Sequence, residues 1–396
     1  DEKMTEKYPD GFTQEDIKYA ELDNDKVVEI NYTSGTTGFS KGVMLTGNNL
    51  AGNVTYARTL DLLFRGEREL CFLPLAHAYS CAFNLLVPMA FGVHVYLLGK
   101  VPSPKILLKA FEEVKPNLIL MVPLILEKIY KKMILPQLNK RTLKLALNIP
   151  LLDSRIYAQI RKHLVDALGG RFREVIVGGA AMNQEVTDFL YKIKFPFTIG
   201  YGTISYDHNN EYVPGSCGQI LKGIMKVRID SEDPYNKVGE IQVSGENVMK
   251  GYYKNDEATQ NVFTEDGWLR TGDLGTIDHD NRIFIRGRSK TMILGASGQN
   301  IYPEEIESKL NNLPFVMESL VVEKNGKLIG MVYPDYDTVD STGISHTDLP
   351  VIMEQNRIEL NKLLAPYETI SEIQLYPTEF EKTPKKSIKR YLYSNY

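Results

Sequence analysis

The sequence predicts an α/β protein: a mostly parallel, helix-covered sheet in a large unit, with a small β unit attached, and then a small α+β domain at the C-terminal end. Three observations lead there. Short apolar runs bounded by turn residues alternate with longer stretches of helical periodicity through the first half, the pattern of βαβ units. Glycine-punctuated strands take over from about Val213. After Arg288 strands and helices mix again, in a set large enough to fold alone. At 396 residues the chain also exceeds the roughly 250 to 300 residues that one core usually serves.

The elements follow in order. "ELCFLPL" reads as a strand, the segment after it as a helix, "VHVYLLG" as a strand, "SPKILLKAFEEVKP" as a helix, "NLILMVP" as a strand and "LILEKIYKKMIL" as a helix. The rhythm returns in "REVIVGG", "NQEVTDFLYKIK" and "PFTIGYG". Runs this uniformly apolar belong to strands covered on both faces. From Val213 to Arg288 only "NDEATQNVF" has helical length, so an antiparallel β unit is expected there. Beyond it come a strand-like "KTMILGA", a helix in "YPEEIESKLNN", a strand pair around "SLVVEKNGKLIGMVYP" and a helix in "DLPVIMEQNRIELNKLLAP". The expected division is 1–288 and 289–396, with the boundary near Gly287 to Lys290.

Composition narrows the function. A net charge of -4 disfavours nucleic acid as the main partner, because binding a phosphate backbone wants a basic face. Cys71, Cys81 and Cys217 are odd in number and lack CxxC spacing, which argues against a disulfide framework or a zinc site and fits a reducing, cytoplasmic setting. The stretch Cys81 to Gly99 runs nineteen residues without a charged side chain, but Asn84, Pro88, Gly92 and His94 interrupt it, so a buried helix and strand is the better reading. No signal peptide is visible in this sequence.

Chemistry first suggests itself in "TSGTTGFSKG", Thr33 to Gly42. Glycines let backbone N–H groups approach an anion, Ser and Thr hydroxyls add donors, and Lys41 adds a point charge. Gly42 follows that lysine, so this is not the GxxxxGK[ST] loop. Taken by itself, such a run is more often a flexible turn than a phosphate loop.

Later segments decide between those readings. They are "FLPLAHAYS" at 72–80, "GGAAMNQEV" at 178–186, "GYG" at 200–202, "GEIQVSGENVMKGYY" at 239–253, "GWLRTGDLG" at 267–275, "GRSKTMILGASGQNIYPEEIE" at 287–307 and "KTPKKSIKR" at 382–390. In this order they closely resemble the adenylate-forming superfamily of acyl-CoA synthetases, luciferases and peptide-synthetase adenylation domains. The resemblance extends from about Val27 onward. The "FEKTPKKSIKR" ending and the "NIYPEEIE" block resemble fatty-acyl-CoA synthetases most.

That resemblance implies a reaction and its residues. A carboxylate attacks the α-phosphorus of ATP, expels pyrophosphate and forms an acyl-adenylate, which the thiol of coenzyme A then takes up. Thr33, Ser34, Gly35, Thr36, Thr37, Gly38 and Lys41 would hold the outer phosphates. Gly179 and Ala180 would line the adenine edge, with Tyr201 stacked on its face and Gly202 beside it. Asp273 would accept from the ribose hydroxyls and Arg288 would sit near the ribose and α-phosphate. His77 would lie beside the acyl pocket, and Lys290 would be the hinge that lets the small domain present two faces in turn. ATP, Mg2+ and coenzyme A are the implied small molecules, with a medium- or long-chain fatty acid as substrate.

Three departures qualify the pattern. Where the family's "YGxTE" block supplies a Thr to phosphate and a Glu to magnesium, this chain has Ile204 and Ser205, and the interval Gly202 to Pro214 is about half a dozen residues short for such a turn. Either the metal carboxylate is lost or, the favoured reading, a mobile stretch lies outside this numbering. The family's catalytic lysine would fall at Ser387, so Lys386 is the substitute, one residue away. Only about thirty residues precede the phosphate loop, so the large domain is expected to be truncated at its N-terminal side. The competing functions are an aryl-acid or carrier-protein adenylating ligase and a non-catalytic nucleotide- or acyl-binding homologue. The basic tail would allow peripheral contact with an anionic membrane.

Overall fold

The computed structural model describes residues 2–16, 23–34, 40–100, 102–138, 140–147, 149, 152–295, 298–382 and 388–393. At its centre lies a parallel sheet. Strand Arg68–Cys71 pairs with His94–Leu97, Ile119–Met121 pairs with Val175–Val177, and that strand pairs with Phe197–Ile199, all in parallel. A parallel bridge from Glu69 to Leu118 joins the two groups. The spatial order is therefore 94–97, 68–71, 119–121, 175–177, 197–199.

Alternation along these strands divides the interior in two. Ile119, Met121, Val175, Val177, Phe197 and Ile199 face one core together with Phe111, Leu168 and Leu190. Leu120 and Ile176 face a second, shared with Tyr79, Ile241 and Ile283. Each such side chain contributes about 1.5 to 3 kcal/mol on burial, which is why both faces of the strands must be apolar. The covering helices start where their sequences provide caps: Ser103 accepts from the Ile106 amide at 3.4 Å and Asn183 from the Val186 amide at 3.2 Å. Gly92, in the left-handed region at φ 68°, ends the helical stretch 78–91, and His94–Leu97 follows at once. The uncharged run is thus a partly buried helical stretch and then a strand, but that strand, at the sheet edge, is largely exposed rather than buried as expected, and among the described residues no helix is long and apolar enough to cross a membrane.

The antiparallel unit has four strands in chain order, Met225–Asp230, Gly239–Gly245, Leu269–Ile277 and Ile283–Arg288. Ile241 and Ile283 enter the second core and so fasten this sheet to the parallel one. A separate hairpin, Val27–Ser34 with Ser40–Thr46, gains a third strand from Gly251–Tyr252. Thr46 then caps the helix Gly47–Ala57 in a capping box with Asn49. That helix and Leu152–Ala167 were not marked by any sequence signal.

The strand Ile283–Arg288 ends in a turn closed by Thr291 and Met292 amides on the Arg288 carbonyl, at 3.1 and 3.0 Å. Beyond it, Val316–Lys324 and Lys327–Pro334 pair antiparallel, and Ile370–Leu375 joins the second in parallel. Helices Pro303–Leu310 and Leu349–Asn361 cover them around Ile306, Leu310, Val332, Met353 and Leu360. Asn183 and Lys131 tie the end of helix Pro303–Leu310 to the preceding part, through the Ser308 and Asn311 carbonyls at 3.0 and 2.9 Å.

Candidate nucleotide site

Two strands of the parallel sheet, Val175–Val177 and Phe197–Ile199, run out at the same edge into glycine turns. The first continues as Gly178, Gly179 and Ala180, the second as Gly200, Tyr201 and Gly202. The carboxyl ends of parallel strands are where open α/β sheets bind ligands. Gly179 sits at φ 90°, a conformation that favours glycine, and both it and Ala180 are exposed.

The antiparallel unit brings its own residues to this edge. In "RTGD" the Thr271 hydroxyl donates to the Ile241 carbonyl at 2.7 Å, Gly272 takes φ 72°, and the Asp273 amide donates back to the Thr271 hydroxyl at 3.1 Å. Strand pairing shifts register here, between Glu240 and Gln242, and a shift of this kind re-aims a side chain. The side chain re-aimed is Asp273, which is buried.

Asp273 is held by two of the residues expected to touch a nucleotide. The Tyr201 hydroxyl donates to its Oδ2, and the Arg288 Nε lies 3.0 Å from its Oδ1. Burial pushes the Asp273 carboxyl above its ordinary range, while Arg288 and then the Tyr201 hydrogen bond pull it back down. Burial, followed by the nearby Asp273 charge, keeps the Tyr201 phenol well above its usual value. It therefore serves as a donor.

The remaining acceptor capacity of Asp273 fits a ribose. A carboxylate offers about four lone-pair positions. Tyr201 and Arg288 use two, leaving two for a vicinal diol. With the Arg288 side chain 58 % exposed, one side of the cluster stays open to solvent.

Other expected residues are placed as follows. Thr33 and Lys41 face each other across the first hairpin, with the Thr33 hydroxyl 3.5 Å from the Lys41 carbonyl. The Lys41 ammonium rests 4.9 Å from the centre of the Tyr252 ring, an aromatic partner that sequence reasoning missed. Ser34 ends its strand, and Gly35, Thr36, Thr37 and Gly38 lie outside the described residues, as do Lys386 and Ser387. Lys290 is exposed in the turn after Arg288. His77 caps its own short helix, its Nδ1 accepting from the Tyr79 amide at 3.2 Å. A small apolar cavity adjoins this place, lined by Tyr79, Phe83, Ile176, Gly200 and Gly202 among others, but not by His77.

The magnesium position does not fit its expected role. Ser205 is buried in a strand pair with Ile220, donating to the Cys217 carbonyl at 2.5 Å. Its hydroxyl is therefore spent on the fold. The following residues are bolted down in the same way. Tyr206 donates to Glu174, the Asn209 amide donates to Glu174 at 3.0 Å, and Asp207 pairs with Arg282 at 3.2 Å. Among the described residues no cluster of three His, Cys, Asp or Glu side chains could hold a metal ion.

Known proteins resemble this chain over most of its length. A family model described as AMP-binding enzyme matches residues 2–253. Long-chain-fatty-acid–CoA ligase FadD15 of Mycobacterium tuberculosis is 29 % identical, over 91 % of this chain and 66 % of its own length. 4-coumarate–CoA ligase CCL1 of Humulus lupulus is 30 % identical, over 95 % of this chain and 65 % of its own. The chain thus spans no more than about two thirds of these relatives. Among solved structures, o-succinylbenzoate coenzyme A synthetase (MenE) of Bacillus subtilis in complex with AMP shares the fold, with a TM-score of 0.71 at 23 % identity, over 94 % of this chain and 70 % of that one.

Proposed function

The chain belongs to the AMP-binding enzyme family, and we propose that it is an acid–thiol ligase that activates a medium- or long-chain fatty acid with ATP and passes the acyl group to coenzyme A. The observation that carries this reading is the convergence of Tyr201, Asp273 and Arg288 at the carboxyl edge of the parallel sheet. In this reading Asp273 accepts from the ribose hydroxyls, Arg288 draws on the α-phosphate, and Gly179 and Ala180 let the base approach the backbone. The Gly- and Thr-rich segment Thr33 to Gly38, with Thr37 in its sequence, and Lys41 hold the outgoing phosphates. Such a reaction is accelerated mainly by charge stabilisation and positioning.

A fatty acid is favoured because FadD15 is named for that substrate. The hop relative named for 4-coumarate keeps an aryl acid as the competitor within enzymes. Formation of acyl-CoA by the full-length protein across a panel of aliphatic and aryl acids tests this. The reading expects turnover with aliphatic acids of medium or greater length. Turnover confined to aryl acids contradicts the substrate.

The burial of Ser205 supports a second reading, that of a homologue which binds nucleotide or acyl groups without turning them over. It expects AMP to bind in a titration while no acid yields product.

A further inference from the structure

The turn that carries Asp273 is held from two sides. Strand pairing sets Glu240 opposite Leu274 and Gln242 opposite Arg270. Thr271, Gly272 and Asp273 therefore stand against the single residue Ile241, and a bulge of this kind takes peptide groups out of the ladder. Such groups need other partners. Those of Gly272 come from two neighbouring elements. Its N–H donates to Glu240 Oε1 at 3.2 Å. Its carbonyl accepts from the Ser289 amide at 2.9 Å and from the Ser289 hydroxyl at 3.2 Å.

Glu240 reaches this turn from the facing strand, Gly239–Gly245. Its other oxygen meets the Arg270 guanidinium at 3.1 Å, and its side chain is only 20 % exposed. The two oxygens thus join Arg270, just before the bulge, to Gly272 within it. A carboxylate engaged at both oxygens keeps one orientation, and it passes that restraint to Gly272, whose φ of 72° decides where the next side chain points. The next side chain is that of Asp273.

Charge does not account for the place of Glu240. The Asp273 carboxyl is raised by burial first, drawn down by Arg288 and by the Tyr201 hydrogen bond, and raised again by Glu304 and Glu240. Glu304 has Arg390 beside it, with 3.6 Å between Oε1 and Nε, as Glu240 has Arg270. A like charge beside a carboxylate that is to accept hydrogen bonds works against its ionisation. What Glu240 contributes is geometry.

We propose that Glu240 is a positioning residue: by holding the Gly272 amide it aims the Asp273 carboxylate at a ribose diol, without touching the nucleotide itself. This rests on the reading of Asp273 as the ribose acceptor. Its consequence is confined to the sugar, because the Tyr201 ring and the turn at Gly179 and Ala180 follow strands of the parallel sheet that Glu240 does not hold.

Two ligands separate the sugar from the rest of the nucleotide. AMP offers both ribose hydroxyls, and 2′,3′-dideoxy-AMP offers neither. Titration calorimetry of each against the full-length protein reads the preference for the hydroxyls directly. The wild type is expected to bind AMP about tenfold or more tighter than the analogue. Glu240→Ala is expected to weaken AMP by about five- to tenfold and to leave the analogue within about twofold. Should Glu240→Ala fail to fold, Glu240→Gln keeps an oxygen for the Gly272 amide and loses only the Arg270 ion pair. It is expected to weaken AMP by about threefold, again with the analogue unmoved. Equal losses for both ligands, the mark of a merely structural role, or unchanged AMP binding in a folded variant, overturn the proposal. A wild type that binds AMP no better than the analogue, or not at all, overturns it together with the reading of Asp273.

Discussion

Asp273 and Glu69 are both buried carboxylates on sheets of the large unit, yet their surroundings differ in kind. Glu69 is wholly enclosed and, among the described residues, its side-chain partner is neutral, the Asn84 amide, which is itself held by Ser80. Its other oxygen has no hydrogen-bond partner. Burial accordingly pushes the Glu69 carboxyl up to about 8, so at neutral pH it carries its proton. Asp273 instead faces a half-exposed arginine and a phenol, and keeps acceptor positions to spare. A buried acid that the fold neutralises is structural. One that faces a half-exposed arginine and keeps unused acceptor positions is available to a ligand.

The sharpest way to break this comparison is to delete each carboxylate. Asp273→Ala should lower kcat/KM for ATP by about 100-fold or more, since hydrogen bonds to a charged group contribute about 1.5 to 3 kcal/mol each. Glu69→Gln should leave kcat/KM within about twofold. Comparable losses in both variants would erase the distinction.

The next effect is on stability, and it belongs to Glu69. Its folded value lies above its unfolded one of 4.5, so the native state holds a proton that the unfolded chain releases. The stabilisation is complete below the unfolded value and is lost as pH rises through the folded value, at up to about 1.4 kcal/mol per pH unit. Denaturant titrations at pH 5.5 and 7.5 should therefore show a loss in the wild type of up to about 3 kcal/mol. Glu69→Gln, which cannot ionise, should show much less of it.

Smaller changes sharpen the account of Asp273. Arg288→Met removes the main influence holding its carboxyl down, so the acid limb of kcat/KM against pH should move to higher pH, with roughly a tenfold loss at neutral pH. An unmoved limb would mean that Arg288 acts elsewhere. The least effect is expected from Tyr201→Phe, about threefold or less on KM for ATP, because the ring face remains and the freed carboxylate oxygen can take a ribose hydroxyl. A loss as large as that of Asp273→Ala would show that the phenol, rather than the ring, does the binding.

Much of this was legible in the sequence, for identifiable reasons. "NLILMVP" and "REVIVGG" are strands buried on both faces, so hydrophobic runs marked them directly. Asp273 was marked only by the family resemblance of "RTGD", and the part Thr271 and Gly272 play in turning the strand needed the structure. Glu69 with Asn84, and Glu304 with Arg390, were not legible, since pairing across 15 and 86 positions leaves no local pattern. The helix Leu152–Ala167 was missed because only Leu164 in it is buried, which weakens the apolar stripe on which a periodicity argument depends. Ser205 could be read only as an absence, and its place in the fold, donating to Cys217, required the structure.

The central claim is that Asp273, with Tyr201 and Arg288, holds the nucleotide on which a carboxylic acid is activated. Acid-dependent pyrophosphate exchange into ATP by the full-length protein, run beside Asp273→Ala, tests it most directly. The account predicts exchange that requires an aliphatic acid and falls about 100-fold or more in the variant. Exchange that survives unchanged in Asp273→Ala, or no exchange with any acid in the wild type, would contradict it.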